Sequence, residues 1–333
     1  MADLDKLVSK FVREEITLFS KDISASAKSR EWFLTRLQNI INSKLENGET
    51  IPQLYSRSPF VYFGSYFKGT KVRDVDEYDV LVVLDSNNGQ FKQSGNIIGK
   101  GVGSCVPCNK YLKKYFKSPD DSGVSPTKLL NWLKEIVKEI VESFGGEAPE
   151  RAGQSITAII KSQNLKIDLV PAGIFTHTND SSKIFYDIPK GDKNSGWILT
   201  APHEDIKIIN DVAGTRPEFK NVLRVLKSVR SDYTFDVSSF AVECSAVSYA
   251  LSNTWTDSIA KNLHEALLHF ADRLRKKSII DTWDDASNLI EHLDVNEWYA
   301  ERVEGICQLM YDLQEEYDES KAYDKLKRCL RNE

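Results

Sequence analysis

The sequence predicts an α+β protein of two lobes, a mixed β-sheet lobe followed by a helical C-terminal lobe. Three observations carry this. The segments with β character, SPFVYFGS, YDVLVVLD, SITAIIK and LKIDLVPAG, all fall before residue 200. From about Pro202 onward the chain reads as a succession of helices. A length of 333 residues exceeds a typical single core, so one large two-lobed body or two intimately packed domains is expected, and the switch to helix puts the boundary between 1–200 and 201–333.

Each element follows from local pattern. The first 46 residues read as two helices, the clearer one placing Phe33, Leu34, Leu37, Ile40, Ile41 and Leu45 at helical spacing before Gly48 stops it. Tyr62 and Phe63 end a short strand that enters a Gly-Ser turn, and Val80–Leu84 is an apolar strand closed by Asn-Asn-Gly. Residues 86–127, rich in Gly, Ser, Asn and Pro, read as a long surface excursion. Pro126 then opens a helix with the stripe Leu129, Leu130, Leu133, Ile136, Val137, Ile140, Val141 and Phe144, and Gly145-Gly146 ends it. SITAIIK and LKIDLVPAG make a hairpin about residues 162–164, and IFTHTNDSSKIFYDIPK adds further strand. Helices are then expected over 204–212, 217–230, 238–251, 259–277, 286–292 and 296–329.

Composition excludes several classes. Lys+Arg number 44 against 49 Asp+Glu, for a net charge of −5, with 41% apolar and 28% charged residues, the balance of an ordinary globular protein. No apolar run approaches the roughly 18–20 residues that span a bilayer, and the start, MADLDKLVSKFVREE, lacks the apolar core of a signal peptide. Five cysteines do not suggest a disulfide scaffold. The expectation is a cytoplasmic protein without a membrane partner.

Three features of the strand-rich half share one explanation. Gly64-Ser65 follows a strand directly, Glu77-Tyr78-Asp79 comes after eleven intervening residues, and Asp168 lies inside the apolar segment 165–170. Glu77 and Asp79, two apart at the head of a strand, project from one face roughly 6.6–7 Å apart at Cα. Carboxylates held that close repel, and a divalent cation removes the conflict. Asp168, a charge among Ile167, Leu169 and Val170, needs a partner of the same kind. Glycine lets the backbone approach a phosphate, and the Ser65 amide and hydroxyl can donate to it. Together these describe two-metal phosphoryl or nucleotidyl transfer with two Mg²⁺ or Mn²⁺ ions. Asp74 and Asp76 offer a competing pair, rejected because no apolar strand follows Asp76 directly.

FGSYFKGTKVRDVDEYDVLVVLD, with LKIDLVPAG downstream, resembles the polymerase-β-like nucleotidyltransferases, and most of all the cGAS/DncV-like enzymes that make cyclic di- and oligonucleotides. The resemblance continues more loosely through NVLRVLKSVR and DVSSFAVECSAVSYA. It implies a two-lobed nucleotidyltransferase with Gly64 and Ser65 on a triphosphate and Glu77, Asp79 and Asp168 as catalytic metal ligands. It further implies that Lys227 contacts phosphate and that Ser239 and Phe240 meet a base, Phe240 by stacking. From the residues alone, Phe240 reads as core, Ser238 or Ser239 as an N-cap, and the stripe Lys220, Arg224, Lys227 as a solvated basic face. The resemblance implies nucleoside triphosphates as substrates (ATP, with GTP or pyrimidine nucleotides open), a cyclic second messenger as product, and a role in anti-phage signalling. Whether a regulatory protein or RNA partner is needed stays open. The histidines do not cluster with cysteines as in the zinc insertion of the animal DNA sensor, and Cys105-Val-Pro-Cys108 is only half a zinc site. With the acidic balance, this argues against sensing of double-stranded DNA. A terminal nucleotidyltransferase making linear products and a catalytically silent nucleotide-binding module are the alternatives.

Overall fold

The computed structural model describes residues 2–18, 20–72, 77–88, 90–91, 109–119, 121, 123–163, 165–177, 180–190, 196–282, 287–294 and 296–333. The competing acids Asp74 and Asp76 and the thiols Cys105 and Cys108 lie outside these residues.

Helix α1 (Leu4–Phe11) continues through one wider turn at Val12–Ile16, and α2 (Ser20–Glu46) follows. Strand β1 (Phe60–Phe63) runs into a single helical turn, α3 (Gly64–Phe67), and β2 (Tyr78–Leu84) returns antiparallel to β1. Within the expected excursion, β3 (Gln90–Phe91) and α4 (Lys110–Phe116) form. Helix α4 is fixed because Leu112 and Phe116 bury against Leu129, Phe175 and Phe185. Helix α5 (Pro126–Ser143) is capped by the Ser125 side chain, and all its expected stripe residues except Phe144 are buried. Strands β4 (Glu150–Ala152), β5 (Ser155–Ile160), β6 (Leu165–His177), β7 (Asp180–Pro189) and β8 (Trp197–Thr200) complete the sheet.

Its order is β1-β2-β6-β5-β4, with β3 and β7 on the later part of β6 and β8 on β7. The sheet is mixed: β2 and β6 run parallel while β5 and β6 are the expected antiparallel hairpin. One face, carrying Tyr78, Val80, Val82, Ile156, Ala158, Ile167 and Leu169, packs on the apolar stripes of α2 and α5. Leu81, Val83, Val170 and Ala172, at alternate positions, form a second apolar cluster on the opposite face. Asp79 and Asp168 have this second phase, so the acids begin the face that α2 and α5 leave uncovered.

The helical lobe comprises α6 (Pro202–Thr215), α7 (Phe219–Asp232), α8 (Ser239–Ser252), α9 (Ile259–Arg275), α10 (Asn296–Asp312) and α11 (Glu319–Arg331). Two expectations need correction. Residues 287–292 are turns, held by a bridge from Ile280 to Asn288 whose amide donates to the Lys277 carbonyl. The 296–329 stretch is two helices, because Asp318 accepts from the Ser320 and Lys321 amides and starts a new one. Residues 4–16, placed with the sheet lobe by chain position, pack into the helical core: Leu7, Val8, Phe11 and Ile16 are buried among Val222, Leu226, Leu263 and Leu330.

Candidate active site

The parallel register sets Asp79 directly beside Asp168, and the β1–β2 register sets Phe63 on the other side of Asp79. Glu77 stands just ahead of β2. One carboxylate oxygen from each of Glu77, Asp79 and Asp168 lies within 4.8 Å of the others. The three acids expected to converge therefore do so.

Gly64 closes the site on the β1 side. Its φ of +76° lies in the left-handed region, and a Cβ there would sit 1.8 Å from Asp79 Oδ2. Only glycine lets the chain turn over the carboxylate at this point. Ser65 follows in the helical turn, its carbonyl accepting from the Thr70 amide at 2.9 Å.

Neighbours set the protonation of the acids. Burial, then repulsion by Glu77 and Asp168, pushes Asp79 from 3.8 to about 7, against the pull of Lys71 and Lys227. Burial and a hydrogen bond with Glu77 raise Asp168 to about 6, opposed by the Thr157 hydroxyl that donates to it. For Glu77 burial works upward, but the hydrogen bond from Asp168 and the Lys166 ammonium at 2.8 Å carry it below the ordinary value. Without a metal, Asp79 and Asp168 therefore retain protons that isolated carboxyls shed, while Glu77 ionises more readily. Three hard oxygen donors, crowded enough to hold protons, fit a Mg²⁺ or Mn²⁺ site.

Lys166 and Thr157 were not singled out by sequence reasoning. Both carry a signal: Lys166 shares Asp168's phase in Leu-Lys-Ile-Asp-Leu, and Thr157 interrupts an apolar strand at the position opposite Asp168.

The remaining site residues lie on the helical lobe. Lys227 is buried on α7, with Nζ 2.8 Å from Glu243 Oε1 and 3.2 Å from the Thr70 hydroxyl. Arg224 donates to the Gly69 carbonyl at 2.8 Å, and Lys220 binds Asn210. The basic stripe is thus not a solvated face: two of its members grip the segment that follows Ser65. Ser238, rather than Ser239, caps α8, accepting from the Ala241 amide. Ser239 is half-buried, and Phe240 is half-buried against the helical core with Lys68 Nζ 5.0 Å from its ring centre.

No family model matches the chain. A probable cyclic nucleotide synthase of Bacillus cereus (strain VD146) is 25% identical over 244 residues, which cover 72% of this chain and 69% of that protein. Among solved structures, E. coli MS115-1 CdnC with ATP aligns with a TM-score of 0.67 and 14% identity, covering 99% of this chain and 98% of that one. CdnC in complex with a HORMA protein gives 0.67 and 14%, covering 98% and 96%. The 3′-deoxy-ATP-bound form of Vibrio cholerae DncV gives 0.66 and 12%, covering 98% and 95%. The likeness spans both lobes, so the expected α+β architecture stands. No described helix is long and apolar enough to cross a membrane.

Proposed function

We infer that this chain, whose fold is that of the cGAS/DncV-like nucleotidyltransferases, joins nucleoside triphosphates into cyclic di- or oligonucleotides with release of pyrophosphate. The observation that carries the reading is the convergence of Glu77, Asp79 and Asp168 beneath the glycine at residue 64. The 25% identity to a probable cyclic nucleotide synthase supports the product class. ATP and its deoxy analogue in the CdnC and DncV structures support nucleoside triphosphates as substrates.

Gly64 opens room for the triphosphate, and the Ser65 amide and hydroxyl donate to its oxygens. Lys227 neutralises phosphate charge from the other lobe, and Phe240 with Ser239 offers a surface for a base. Glu77, Asp79 and Asp168 would hold two divalent ions. When bound, these supply activation of the attacking ribose hydroxyl and charge neutralisation at the triphosphate. In each step a ribose oxygen forms a bond to the α-phosphorus and the bond to pyrophosphate breaks; repetition within a linear intermediate closes the ring. A ring has no terminal phosphate, which suits a diffusible messenger, and anti-phage signalling is the role that we propose for it. The complex of CdnC with a HORMA protein makes a protein regulator the first partner to seek.

The test is incubation of purified protein with all four nucleoside triphosphates and Mg²⁺ or Mn²⁺, followed by phosphatase treatment and mass spectrometry. Phosphatase-resistant cyclic products are expected. Linear products extended on an RNA primer would redirect the assignment to a terminal nucleotidyltransferase.

A further inference from the structure

Resting on that reading of the site, we propose that Glu243 is a positioning residue for the nucleotide site, which holds Lys227 toward the Gly64–Ser65 turn and ties that turn to the helical lobe. Glu243 is 5% exposed on α8. Its Oε1 accepts from Lys227 at 2.8 Å and from the Thr70 hydroxyl at 3.2 Å, and its Oε2 accepts from Lys68 at 2.7 Å. The Thr70 hydroxyl also accepts from Lys227, while its amide donates to the Ser65 carbonyl. A continuous path therefore runs from a carboxylate on α8, through Thr70, to the residue expected on the phosphates. The same carboxylate orients Lys68, which lies over Phe240.

The burial of two lysines on one carboxylate gives the cluster a purpose beyond stability. Burying one Lys–Glu pair already costs desolvation, and burying a second lysine against the same carboxylate costs more. Lys68 has a further carboxylate, Asp205, at 3.5 Å. Lys227 shares Glu243, bonds a neutral hydroxyl, and acts on the Asp79 carboxyl of the acidic site only through its charge. Burial accordingly pulls the Lys227 ammonium below its ordinary pKa, although Glu243 opposes this. An arriving triphosphate would give this buried ammonium a further anionic partner, provided Glu243 keeps it in place. Such a role acts on ground-state binding of phosphate, so it belongs in KM more than in kcat.

The experiment is a double-mutant cycle of Glu243→Gln and Lys227→Met. It measures KM and kcat for product formation, binding of a non-hydrolysable ATP analogue by calorimetry, and folding by thermal melting. Glu243→Gln should raise KM and the analogue's Kd about tenfold with a smaller fall in kcat, and should add less than about twofold once Lys227 is Met. Glu243→Asp should restore part of the affinity. Full additivity with Lys227→Met, or a lowered Tm with unchanged KM, would overturn the proposal. Thr70→Val covers the case in which Glu243→Gln does not fold: a several-fold rise in KM supports the path to Ser65, and an unchanged KM overturns it. A wild-type protein that neither binds the analogue nor forms product overturns the nucleotide reading itself, an outcome distinct from an active wild type with an additive cycle.

Discussion

Asp79 is the residue at which stability and the proposed chemistry oppose each other. Its carboxyl is displaced from an ordinary 3.8 to about 7, and Asp168 from 3.8 to about 6. A carboxyl whose folded pKa exceeds its unfolded one destabilises the fold once it ionises; the cost is complete above about pH 7 and is relieved progressively as pH falls from there toward the ordinary value of 3.8. The metal-free protein should therefore melt higher with Asp79→Asn than as wild type at pH 8, by a few degrees, and the gap should narrow by roughly half at pH 5.5. The same variant should lose product formation by on the order of 10³-fold or more. Protons and divalent cations compete for these oxygens, so the Tm gained on adding Mn²⁺ should be larger at pH 8 than at pH 6. A Mn²⁺ gain independent of pH would contradict the ligand assignment. Gly64→Ala is the complementary change: left-handed strain costs about 1–2 kcal/mol, and the clash with Asp79 Oδ2 forces the acid or the turn to move. Loss of activity well beyond the loss of folded protein is expected, read by comparing turnover with the melt.

At the scale of elements, the site is a product of register. Alternation in Leu-Lys-Ile-Asp-Leu was enough to place Asp168 on the opposite face from Ile167 and Leu169, and the hairpin to β5 was legible because its turn is local. The pairing that unites Asp79 with Asp168 is parallel and joins residues far apart in the chain. Such pairing leaves no turn signature, and the sequence signals it only through chemistry, since acids set in apolar strands need a common partner. Other elements were hidden for similar reasons. Helix α4 sits in a Gly- and Ser-rich stretch and is held by Leu112 and Phe116 meeting distant strands. The turns at 287–292 replace an expected helix because Asn288 binds the backbone of the preceding loop. The same register places Thr157 across from Asp168, where its hydroxyl favours the ionised acid. Thr157→Val removes that donor while keeping the shape, so Asp168 should titrate higher. The acid limb of the activity–pH profile should then move upward by on the order of one pH unit, with the plateau rate little changed. An unmoved limb would mean that Asp168 does not set it.

Over the whole molecule, residues 4–16 and helix α11 are joined in the helical lobe. Phe11 is fully buried there, and Glu15 receives both Lys327 and Arg331 from α11 at 2.8 and 2.7 Å. The sheet lobe has separate apolar clusters, and the polar links from residues 68–70 to α7 and α8 connect it to the helices. On this arrangement the stability of the helical core and the geometry of the acidic site are set by different contacts. Phe11→Ala removes a large buried ring and should cost roughly 3–5 kcal/mol, lowering Tm by several degrees. Because Phe11 carries none of the hydrogen bonds of the Glu243 path, KM for the nucleotide should stay at the wild-type value at temperatures where the variant is folded. Melting curves alongside kinetics at 20 °C check both parts. A KM that rises with the loss of stability would mean that the packing of α1, and not only the buried ion pairs, sets how the lobes meet over the substrate.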